Sequence, residues 1–155
     1  MMLATLALTG LLLVGEPVPT MAPNIEVATT QVVYDEATEH DIDLLARLIY
    51  AESGSSWCSN KMQYYVGSVV LNRVKSPDFP NTVEEVIFSP GQYTCIKNGV
   101  LCSRCDDRTR YCAEYLITHG SMLPDNVVFQ ANGKQGDGVF EKVQNMYFCI
   151  KEVKQ

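Results

Sequence analysis

No lysine or arginine precedes Arg47 in this 155-residue chain, although seven acids lie ahead of it. From residue 44 onward 12 basic residues face 11 acidic ones, so the formal charge of −6 belongs to the leading segment and the body is nearly neutral. Neither half carries the basic stripe of a nucleic-acid binder, which excludes that class of partner. Long apolar runs are also missing. The nearest candidate, residues 1–15, is uncharged but short for a membrane-spanning helix. It has the length of a signal-peptide core or anchor, without the usual basic start. Export to the cell envelope or beyond is the expectation, with membrane contact through this segment alone. HExxH, Walker and GxGxxG patterns do not occur, which removes zincin, nucleotide-hydrolase and dinucleotide readings. The chain has two histidines, His40 and His119, and neither sits in a nucleophile signature. No cofactor or metal is expected.

Residues 16–40 mix prolines, threonines and acids with little periodicity, the composition of a linker. The folded domain is therefore expected over 41–155. Ile42, Leu45, Leu48 and Ile49 recur at three- and four-residue spacing, so a helix runs from Asp41 to Glu52 with Asp41 or Asp43 as its cap. Ser53-Gly54-Ser55-Ser56 breaks it. Met62, Tyr65, Val66, Val69 and Val70 form the apolar stripe of a second helix over 60–74. Thr82-Val-Glu-Glu85 is a capping box opening a short helix. Gln92–Ile96 reads as extended, and Asn98-Gly99 as a hairpin tip. Asp106 or Asp107 caps another helix, with Tyr111, Leu116 and Ile117 buried and Gly120 as its stop. Residues 126–130 and 146–150 have the β-branched and aromatic enrichment of strands. Helices followed by strands give an α+β fold with a small antiparallel region, and a monomer is expected.

Six cysteines stand at positions 58, 95, 102, 105, 112 and 149. In an exported chain an even count favours disulfides, with Cys95–Cys112 and Cys58–Cys149 as the expected pairs. Cys102-x-x-Cys105 leaves a zinc knuckle open as an alternative, and free or mixed thiols are a third.

Glu52 continues the buried row of Leu45 and Ile49 (or Leu48) to the end of its helix. A carboxyl group there loses solvation, which favours the proton-carrying form that glycosidic cleavage needs. Taken alone, it is equally a helix-end acid reaching for water.

Four motifs in order change that balance: LARLIYAESG at 45–54, VGSVVLNRV at 66–74, FPNTVEEVI at 79–87 and GQYTCI at 91–96. Together with VVFQ at 127–130 and NMYFC at 145–149, they resemble the SleB/CwlJ cell-wall hydrolases, which include spore cortex-lytic enzymes. The resemblance spans about residues 41–150 and implies a lysozyme-like, lytic-transglycosylase-like α+β domain. It implies cleavage of peptidoglycan between N-acetylmuramic acid and N-acetylglucosamine, with Glu52 as general acid. Ser53, Gln92, Tyr93 and Thr94 are then expected at the substrate, and Tyr147 as a stacking face. Asn72 and Arg73 are expected to tie helix to loop by hydrogen bonds. The loop after Gly54 departs from the family's commoner form and carries Trp57-Cys58, a sugar platform or a plug. No second acid has a claim comparable to Glu52, which suits a lytic transglycosylase over a two-carboxylate glycosidase. A non-catalytic glycan-binding module and a cell-wall cysteine peptidase using His40 or His119 are the competing readings.

Overall fold

A computed structural model describes residues 34–54, 56–97 and 99–152. The expected signal peptide or anchor at 1–15, and the expected linker up to residue 33, lie outside these residues. Among the described residues no helix is long and apolar enough to cross a membrane.

The first helix starts earlier than its apolar period suggests. α1 spans Glu36–Ser53, and Asp35 caps it by accepting the Thr38 N–H at 2.8 Å. Glu36 and Glu39 in its first turn complement the helix dipole. The domain thus begins inside the stretch read as linker, and Asp41 and Asp43 are helix-interior residues. α2 covers Asn60–Lys75, capped by Ser59, and α3 covers Val83–Phe88, capped by Thr82. α4 covers Asp107–His119, with Asp106 and Thr109 forming a reciprocal cap.

Ile42, Leu45, Leu48 and Ile49 of α1 meet Val66, Val69 and Val70 of α2 and Leu116 of α4 in one core. Gly67 lets these helices approach: a Cβ there would lie 2.4 Å from Leu116 Cδ1 and 2.9 Å from Ile49 Cδ1. On α4 the buried positions are Thr109, Cys112, Ala113 and Leu116. Tyr111, expected inside, is exposed because that face of α4 looks away from α1.

Three antiparallel strands close the domain: β1 (Val127–Ala131), β2 (Gly138–Val143) and β3 (Met146–Ile150), in the order β1-β3-β2. Strand β2 was not expected from sequence, since its side chains are mostly exposed and lack an apolar face. Lys61 and Tyr65 of α2 both reach Glu141 and hold β2 against the helix. Gln92–Ile96 is not a strand. It turns back on itself, with the Ile96 N–H on the Tyr93 carbonyl at 3.2 Å, before a single bridge pairs Lys97 with Val100 around Gly99 (φ 73°).

The expected disulfides are not formed. Cys95, Cys112 and Cys149 are thiols. Cys112 lies in the helical core, Cys95 lines a surface cleft, and Cys149 Sγ faces the Gln135 N–H at 3.5 Å.

Candidate active site

The last turn of α1 is held unusually firmly for a helix end. The Gly54 N–H donates to the Tyr50 carbonyl at 2.8 Å, and the Ser53 hydroxyl to the Ile49 carbonyl at 2.9 Å. Gln63, buried on α2, donates its Nε2 to the Ser53 carbonyl at 3.1 Å. These bonds satisfy carbonyls that a helix terminus otherwise leaves to water. They fix the direction of Glu52, which is half-buried and opens onto a cleft of about 430 Å³.

Ala51, Glu52 and the buried Met62 form the helical side of this cleft. Thr94, Cys95 and Lys97 form a second side, and Trp57, Asn132, Asn145 and Met146 complete the rim. The second side is tied to α1 through Arg47, whose Nε donates to the Cys102 carbonyl at 2.8 Å and Nη2 to the Leu101 carbonyl at 3.1 Å. Among the described residues that line the cleft, Glu52 is the one carboxylate. The Cys95 thiol lines the same cleft as Glu52. Burial, and then the Glu52 carboxylate, push that thiol up to about 12. It is therefore a neutral donor at ordinary pH, not a nucleophile.

Of the residues expected at the substrate, the structure brings Glu52 and Thr94 together in the cleft. The Ser53 hydroxyl is buried and donates to the Ile49 carbonyl of its own helix, and Ser53 does not line the cleft. Tyr93 is also buried, and its hydroxyl accepts from Arg73 Nη1 at 3.1 Å. Burial pushes the Tyr93 hydroxyl up to about 12, with the Arg73 guanidinium opposing and Glu52 reinforcing. Gln92 is exposed beside the cleft but does not line it. Tyr147 lies half-buried on β3 under Lys142, whose Nζ is 4.9 Å from its ring centre, and does not line it either.

Asn72 and Arg73, expected to tie helix to loop, bond α2 both to the Pro124 loop and to β1. Asn72 Nδ2 donates to the Pro124 and Val127 carbonyls at 2.8 and 2.9 Å, and Arg73 Nε to the Val128 carbonyl at 2.7 Å. Gln63, Asn132 and Asn145 were not picked out from sequence, and Cys95 was read there as a disulfide partner, not as a cleft residue. Gln63 left one trace there: it is a polar residue beside the apolar stripe of α2. The histidines are remote from this chemistry. His40 faces Glu84 at 3.6 Å, and His119 stacks on Tyr115.

A larger depression of about 940 Å³ lies beyond the other end of β3. Its lysines are already paired, Lys75 with Asp125 at 3.5 Å and Lys151 with Asp78 at 2.6 Å. The smaller cleft holds the reactive geometry.

Comparison with known proteins agrees with this architecture. A family model described as Cell Wall Hydrolase matches residues 58–149, more than half of the chain. The match begins just after Glu52. A spore cortex-lytic enzyme of Bacillus cereus is 43% identical over 63 residues, which is 40% of this chain and 23% of that protein. Its counterpart in Halalkalibacterium halodurans is 36% identical over 88 residues, 56% of this chain and 25% of that one. The chain thus spans about a quarter of the length of these curated relatives. The solved catalytic domain of the germination-specific lytic transglycosylase SleB from Bacillus anthracis superposes with a TM-score of 0.60 at 25% identity. That superposition covers 75% of this chain and 96% of the solved one.

Proposed function

Since this chain belongs to the cell wall hydrolase family, we propose that it cleaves the glycan strands of peptidoglycan at the bond between N-acetylmuramic acid and N-acetylglucosamine. Glu52 is the proton donor. The observation that carries this reading is one half-buried carboxylate, fixed at a rigid helix end, in a cleft lined otherwise by hydroxyl, thiol, amide, ammonium, aromatic and apolar groups.

The chemistry closes on that single acid. Glu52 hands its proton to the glycosidic oxygen as the bond from the anomeric carbon to that oxygen breaks. Positive charge developing at the anomeric carbon is opposed by the carboxylate left behind. A two-carboxylate glycosidase would use a second acid to activate water or to form a covalent intermediate. In its absence, the muramyl 6-hydroxyl attacks the anomeric carbon and returns its proton to Glu52. The product is a 1,6-anhydro ring, and the enzyme regains its starting form. The Bacillus anthracis relative is named a lytic transglycosylase, which supports this route. Thr94 offers a hydroxyl to the sugar, and the neutral Cys95 thiol lines the cleft beside it. Peptidoglycan lies outside the cytoplasm, so the reading also places the protein in the envelope or the medium.

Mass spectrometry of the soluble fragments tests the route. Muramyl ends lacking one water relative to the reducing sugar are expected. Reducing ends that take up ¹⁸O from labelled water would instead assign hydrolysis.

A further inference from the structure

The turn between β2 and β3 contains a residue that its geometry does not favour. Val143 pairs with Met146, which leaves Gln144 and Asn145 as a two-residue hairpin turn, and Gln144 has φ 52°. It is the one non-glycine residue with positive φ among those described. Glycine is the residue such a position prefers, because a side chain there meets its own backbone. A non-glycine residue kept in this region points to a use for its side chain.

Both ends of that side chain are engaged. Gln144 Nε2 donates to the Trp57 carbonyl at 2.8 Å, and its Oε1 accepts the Ser59 N–H at 3.0 Å. The amide therefore clamps the chain on either side of residue 58 and sets where Trp57 stands. Trp57 is the chain's single tryptophan, it is 60% exposed, and it lines the cleft that holds Glu52. A large indole left uncovered at a cleft rim presents an apolar face and a polar N–H, a combination suited to the face of a pyranose ring. Asn145, beside the clamp, and Asn132, at the end of β1, add primary amides to the same rim. Such amides can both donate to and accept from an N-acetyl group.

We propose that Trp57, Asn132 and Asn145 form a subsite for an N-acetylhexosamine ring next to Glu52, and that Gln144 is the positioning residue that latches Trp57 into it. The subsite rests on the glycan-cleaving reading of the cleft and adds where and how one sugar is gripped. Lys61, Tyr65 and Glu141 steady the same hairpin further along β2, so the latch acts from a fixed base.

A single tryptophan makes the test direct. The whole chain carrying Glu52→Gln, which spares the probe, is titrated with a peptide-free tetrasaccharide of alternating N-acetylglucosamine and N-acetylmuramic acid. Trp57 emission should change saturably, with the same midpoint as calorimetry. With Glu52 intact, Trp57→Ala should raise KM about tenfold with kcat changed far less, the pattern of a lost binding contact. Gln144→Gly separates the latch from fold integrity. It should leave Tm unchanged or higher, because the turn is relieved, while raising KM about threefold. Silent Trp57 emission alongside calorimetric binding, no saturable binding of the tetrasaccharide, or an unchanged KM in both variants would overturn the subsite while Glu52-dependent cleavage still stood. Loss of Glu52 dependence itself would overturn the underlying reading, and the subsite with it.

Discussion

Glu52 and Trp57 are close in sequence and face the same cleft, yet they are supported in opposite ways. Glu52 rides on an 18-residue helix whose Tyr50 carbonyl accepts the Gly54 N–H and whose Ser53 carbonyl accepts from buried Gln63. Trp57 stands on a loop, exposed, and is placed by one amide reaching across from a strained hairpin. Proton transfer tolerates little positional error, so the proposed acid gains from standing on the rigid element. Sugar recognition varies with substrate and sits on turns, where residues change without disturbing the core.

Gln63→Leu attacks the rigid side. It leaves the Ser53 carbonyl buried and unpaired, which costs about 1–3 kcal/mol. A lower denaturant midpoint is expected together with a fall in kcat, since Glu52 loses its fixed direction. A stability loss with kcat unchanged would show that the helix end does not orient the acid.

A smaller effect comes from the buried thiols. Cys95 and Cys112 are both pushed up to about 12 from an ordinary value near 9, Cys112 by burial alone. Above about pH 9 the unfolded chain releases these protons while the native chain keeps them until about 12. Stability is therefore full below the first value and drains away towards the second. Tm should fall as pH rises from about 9 towards about 12, and Cys112→Ala should flatten the fall by removing one of the two thiols. Equal slopes in the two proteins would contradict the burial of Cys112.

The helical half was readable from the sequence and the turn-built half was not. Periodic Ile42, Leu45, Leu48 and Ile49, and the Thr82 and Asp106 caps, are local signals, and their helices stand where those signals put them. The early start of α1 escaped because Ala37–His40 has no apolar period and depends on one Asp35 cap. Tyr111 misled because aromatic character does not say which helix face meets a neighbour. The row of Ile42, Leu45 and Ile49 runs on to buried Ser53, whose hydroxyl serves its own helix, while Glu52, read as the end of that row, stands half-buried at the cleft. Gln92 and Tyr93 were expected at the substrate from the resemblance of the Gly-Gln-Tyr-Thr segment, whereas that segment turns and sends Tyr93 inward to Arg73. Asn132, Asn145 and Cys95 reach the cleft through long-range packing of loops, for which no short sequence pattern exists.

Glu52→Gln tests the central claim most directly, because it keeps the shape and hydrogen-bonding reach of the side chain and removes the transferable proton. Release of soluble fragments from purified peptidoglycan should fall by about 10²–10⁴-fold, with Tm unchanged. Fragment release at the unaltered rate would contradict the account.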